Sequence, residues 1–129
     1  MLVEQGDLGG ARGRYQESLE IRKHLTSADA SSATLQRDVS VSLDRLGDIL
    51  VAQSDLIEAR GRYQKSLEIR KRLAAAAPSS AALQRDLIVS LVKLSEILKD
   101  RTYAQQALDI ALKLQEIGRL AHRDSWMVE

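Results

Sequence analysis

The chain has no cysteine, no phenylalanine and a single proline among 129 residues. Without cysteine there is no disulfide framework, no thiolate nucleophile and no sulfur-ligated zinc. Aromatics amount to three Tyr and one Trp, so the interior has to be assembled from Leu, Ile, Val and Ala, which suit closely packed helices. Charge of one sign is also missing. The 19 basic and 18 acidic residues nearly cancel, which removes bulk attraction toward nucleic acid or an anionic membrane. The opening MLVEQGDLGG lacks the basic region of a signal peptide. The longest uncharged stretch, Leu73–Gln84, is too short and too polar to cross a bilayer. The expectation is a soluble, cytoplasmic chain of one domain.

What the chain has in plenty is repetition. ARGRYQESLEIRK begins at Ala11 and ARGRYQKSLEIRK at Ala59, identical apart from Glu17 and Lys65. A shift of 48 residues matches about 30 of the 48 pairs between the first stretch and the next, the mark of stacked modules. A third, diverged copy runs through Tyr103–Gly118.

Each unit holds two helical stretches. Leu35, Val39, Leu43, Leu46, Ile49 and Leu50 recur at steps of three and four, and so do Ala59, Tyr63, Ser66, Leu67, Leu73 and Ala74. Pro78 stops a helix, and Ser80 is placed to cap the next. The pattern predicts five helices over 8–28, 32–53, 56–76, 80–99 and 103–121. An amphipathic hairpin leaves one side bare until another stacks on it. The duplicated peptide is therefore architecture rather than a catalytic motif.

The unit from Ser40 onward resembles the tetratricopeptide repeat. The Leu-Gly dipeptide stands at Leu46-Gly47, preceded by the apolar Leu43. The small residue opening the second helix is Ala59, the aromatic four residues on is Tyr63, and a further small residue is Ser66. Ala11, Tyr15 and Ser18 hold the same places in the first copy; Leu91, Leu94, Ser95, Ala107, Ala111 and Leu114 hold them in the third. The period of 48 exceeds the usual 34, so the units look like long-helix repeats of bacterial proteins, distantly similar to kinesin light chain. The resemblance implies an all-α, right-handed α-solenoid of antiparallel helix hairpins, about two and a half repeats long. The divisions are a partial repeat over 1–31, a repeat over 32–79, a diverged repeat over 80–121 and a C-terminal cap over 122–129, where Trp126 folds back over the last helix. Small Gly47 and Ala59 let the hairpin close, and Tyr63 fills the gap they leave.

Chemistry is sparse. His24 and His122 lie in different repeats without acidic or cysteine neighbours at ligand spacing. Gly9, Gly10 and Gly13 lack the Lys-Ser/Thr of a phosphate loop, and no nucleophile–base arrangement is recognisable. The expectation is no enzyme, no cofactor and no metal. Arg60, Arg62, Arg70, Lys71 and Arg72 point in nearly all directions around a helix, a solvated face rather than a nucleic-acid stripe. Arg22 and Arg70 differ in falling within the apolar arcs. Equal helical rises on either side of the turn predict structural ion pairs of Arg70 with Asp86 and of Arg22 with Asp38.

The face opposite the first-helix stripe carries Val41, Asp44, Arg45, Asp48 and Ala52, then Val89, Val92, Lys93, Glu96 and Asp100. These positions coincide with the concave groove in which related repeats hold peptides or helices. A neutral or basic segment with one or two apolar side chains suits it; an ordinary solvated face is the plain alternative. The reading is thus a scaffold module for a protein or peptide partner, with no nucleic acid and no membrane. A second reading is a homo-dimer formed through an incomplete first repeat, whose bare edge carries Leu2, Val3 and Leu8.

Overall fold

In a computed structural model, residues 5–28 and 32–128 are described, with side chains described over 8–24 and 32–118. The chain runs α1 (Gln5–Ala28), α2 (Ala33–Ala52), α3 (Leu56–Ala76), α4 (Ala81–Leu98) and α5 (Arg101–Val128), with no strand among the described residues. The five expected helices are all present. Each packs on the helix before it and the helix after it, which is the organisation of an all-α repeat solenoid.

The connections are short and chemically explicit. Ser32 and Ser80, 48 residues apart, each cap a helix by accepting from the backbone amide three residues on, that of Leu35 at 3.2 Å and that of Leu83 at 3.3 Å. Asp55 caps α3 in the same manner through the Glu58 amide. The α2–α3 turn closes with Ser54 in the left-handed region at φ 63°, and α4 ends on Lys99 at φ 53°. Both are residues with side chains in a conformation that favours glycine.

The apolar interior falls into two clusters. Leu19 of α1 meets Val39, Leu43 and Leu46 of α2 in one; Tyr63 and Leu67 of α3 meet Leu91 and Leu94 of α4 and Ala107 of α5 in the other. Between the first and second helix of the hairpin the approach is close. A Cβ added at Gly47 would overlap the Tyr63 ring, so the aromatic occupies the space that the missing side chain leaves, as the sequence led us to expect.

α5 extends seven residues beyond its expected end at 121, and the segment expected to fold back as a cap continues the helix to Val128. With Pro78 the only proline, nothing in that stretch stops a helix. The side chains of Trp126 and its neighbours lie outside the described residues.

Candidate partner-binding cleft

The seam joining α2, α3 and α4 is polar. Arg70 of α3 is buried, and its guanidinium donates to four oxygens: Ser40 Oγ (3.2 Å), Asp44 Oδ2 (2.5 Å), the Asp86 backbone carbonyl (3.2 Å) and Ser90 Oγ (3.0 Å). Ser66 adds a hydroxyl bond to the Ser40 carbonyl at 3.1 Å. One repeat earlier, Arg22 of α1 donates to the Asp38 carbonyl (3.2 Å) and to Ser42 Oγ (2.5 Å). The duplicated arginine therefore does one job twice, pinning its helix to the next first helix through a carbonyl and a serine.

The expected ion pairs are corrected by this geometry. Arg70 does reach the level of Asp86, and Arg22 that of Asp38, but each meets the backbone carbonyl there rather than the carboxylate. The Asp86 carboxylate turns outward to Arg37 at 2.6 Å. Arg70 instead pairs with Asp44, both side chains being buried. Asp44 thus leaves the set of groove residues: its side chain points into the seam. Burial raises its pKa above the usual carboxylate value, outweighing the attraction of Arg70. Its Oδ1 has no hydrogen-bond partner among the described residues.

Beside the seam, on the face shared by α2 and α4, lies a cleft of about 480 Å³. Asp48 of α2 and Lys93 and Glu96 of α4 line its polar side, and Val51, Leu56 and Ile97 form its apolar wall. Tyr63 rises between them. Its hydroxyl donates to Asp48 Oδ1 at 2.6 Å, and Lys93 Nζ approaches the same oxygen at 2.6 Å while lying 5.4 Å from the ring centre. Burial, reinforced by the bond to Asp48, holds the phenol well above its ordinary pKa. It remains a donor at any physiological pH. The result is a clasp of fixed orientation: a carboxylate held by a phenol and an ammonium, with the ammonium stacked over the ring.

Of the ten groove residues expected from the sequence, Asp48, Lys93 and Glu96 line this cleft. Arg45, Ala52, Val89 and Asp100 are exposed and Val41 half-buried, outside its lining. Val92, 39% exposed, stands where the repeat places Asp44. Tyr63, Val51, Leu56 and Ile97 were not expected there. The contacts of Tyr63 with Gly47 explain its ring; the reach of its hydroxyl to Asp48 is visible only in three dimensions. Of the proposed self-association edge, Leu8 is half-buried, and the side chains of Leu2 and Val3 lie outside the described residues. Among those residues no group of His, Asp and Glu is arranged to hold a metal ion, and no helix is long and apolar enough to cross a membrane.

The architecture defines a class first: a helical-repeat protein built from stacked hairpins. Residues 39–75, most of α2 and nearly all of α3, match the family model of the tetratricopeptide repeat. The match supports assigning that hairpin to the tetratricopeptide-repeat family. Repeats of this family generally mediate protein–protein interaction. No curated protein and no solved structure matches the chain.

Proposed function

We propose that the chain is a non-enzymatic, cytoplasmic scaffold module that holds a segment of a partner protein in the cleft between α2 and α4. The observation that carries this reading is the pairing of a preformed polar clasp with an apolar wall. Tyr63, Asp48 and Lys93 are already bonded to one another, so ordering them adds little to the cost of binding. Glu96 is exposed and makes no ion pair or hydrogen bond among the described residues. Val51 and Leu56 are 40% and 52% exposed beside it. A segment carrying one or two apolar side chains with a neutral or basic neighbour complements this surface. No cofactor enters the reading.

Selection of displayed peptides on the immobilised protein tests it. Enriched segments should carry an aliphatic side chain near a Lys or Arg. Val51→Glu and Glu96→Lys should each weaken their capture by tenfold or more, about 1.4 kcal/mol, with the melting temperature unchanged. Peptides that bind both variants as well as the parent protein would place recognition elsewhere.

A further inference from the structure

The cleft between α2 and α4 does not end at its apolar wall. Leu56 and Ile97, which form part of that wall, also line a second groove of about 540 Å³, together with Ile57 and Arg60 of α3 and Leu98 of α4. The two residues are thus a ridge with apolar surface on both flanks, Val51 on the cleft side and Ile57 and Leu98 on the far side. Ile97 and Leu98 are half-buried and pack against the cluster of Tyr63, Leu67 and Leu91. The ridge is therefore held by the core beneath it.

Ile57 is the residue that the fold leaves unexplained. It is 88% exposed, and the neighbouring copies have no large apolar side chain at its position, which is Gly9 in the first and Gln105 in the third. A lone exposed isoleucine is ordinary. This one extends an apolar strip that runs through Leu56 to Val51, and a continuous apolar strip bordered by polar residues marks an interaction surface.

The two ends of the strip carry opposite charges. On the cleft side Asp48 is engaged by Tyr63 and Lys93, while Glu96 makes no ion pair or hydrogen bond among the described residues. Across the ridge the charged residue lining the groove is Arg60, exposed and equally unpaired. Lys99, which follows Leu98, adds a second cation at that end. Glu58 lies two residues from Arg60, on the opposite side of α3, where Arg62 approaches it at 4.0 Å.

We propose that the segment held in the cleft runs on across the Leu56–Ile97 ridge to the outer face, and that its charges follow one order. A Lys or Arg meets Glu96, one aliphatic side chain covers Val51, a second lies between Ile57 and Leu98, and an Asp or Glu meets Arg60. This rests on the cleft being the partner site, and adds to it the second half of the track and the requirement for an acid. Crossing a ridge requires a bend, which an extended segment makes and a straight helix does not. A segment with the reverse charge order would set acid against Glu96 and base against Arg60, and is rejected.

Peptides enriched by display on the parent protein supply the probe, synthesised with a fluorophore and titrated by fluorescence anisotropy. Ile57→Glu and Arg60→Glu should each weaken binding tenfold or more, as Val51→Glu does. Both residues are exposed, and circular dichroism with thermal melting confirms that the variants fold as the parent does. Replacing the acidic residue of the peptide by Lys should weaken its binding to the parent and restore its binding to Arg60→Glu. Loss of affinity in Val51→Glu, with full affinity in either Ile57→Glu or Arg60→Glu, leaves the cleft as the partner site and overturns its extension. Failure of the charge-swapped peptide to recover binding to Arg60→Glu overturns it as well. Full affinity in Val51→Glu, or a library from which nothing is enriched, removes the reading of the cleft and the extension with it.

Discussion

Gly47 and Gly61 each interrupt a helix, yet alanine has opposite consequences at the two. At Gly47 the added methyl runs into the Tyr63 ring, which is buried and tied through its hydroxyl to Asp48. The ring would have to shift and strain that bond, and Gly47→Ala should cost about 1–3 kcal/mol, the usual penalty of overpacking. At Gly61 the methyl meets nothing, and Gly61→Ala should add about 1 kcal/mol through helix propensity alone. Urea denaturation of the two variants gives both numbers, and equal effects would contradict the packing described. Ser54 offers a third case. It sits at φ 63°, so Ser54→Gly should raise stability by about 1 kcal/mol by relieving a left-handed side-chain residue, read as an increase in melting temperature.

At the level of helices, Arg70 is the joint between repeats. Arg70→Met leaves Asp44 buried without its cation and should cost about 3–5 kcal/mol. The double change with Asp44→Leu should recover much of that, since an apolar pair of similar volume often replaces a buried ion pair without loss. The single variant also has a characteristic pH dependence. Burial already raises the folded pKa of Asp44; removing Arg70 raises it further. Folding then favours the neutral acid, so stability is fully present below the unfolded pKa and is lost as pH rises through the folded one. The penalty in Arg70→Met should therefore shrink from neutral pH toward about pH 4, the ordinary range of an aspartate. Chemical denaturation at several pH values measures this.

This joint also marks how far the sequence could be read. The helices were legible because apolar side chains recur at steps of three and four and because Ser80 and Pro78 punctuate them. The level at which Arg70 meets α4 was legible from helical rise. Which oxygen it meets at that level was not: rise fixes height along an axis, whereas the choice between the Asp86 carbonyl and its carboxylate depends on rotation about it. Asp44 was assigned to the open face for a related reason. Its position lies at the boundary between groove and seam, and only the neighbouring α3 and α4 decide that it turns inward. Asp48, Lys93 and Glu96 sit squarely on the open face, where they line the cleft. Tyr63 was read as a spacer and proved also to be a donor.

For the whole molecule, the main contacts run between consecutive helices, so stability is close to a sum over neighbours rather than a property of one centre. The interior helices α2, α3 and α4 are each flanked on two sides, and α1 and α5 on one. Hydrogen exchange should accordingly be slowest in α3, which contributes both to the polar seam and to an apolar cluster, and fastest toward the outer ends of α1 and α5. Uniform protection across all five helices would contradict this.

The same seam has a mechanical consequence. Hydrogen bonds fail over a fraction of an ångström and over small angles, whereas apolar contacts yield gradually and without direction. Where Arg70 gathers oxygens from α2 and α4, the solenoid resists bending stiffly and then gives way abruptly. Where Leu67, Leu91 and Leu94 touch, it complies. A pull along the repeat axis would thus be met as by a rod with a brittle rivet at each arginine, breaking first there and leaving the apolar contacts beside it as intact springs.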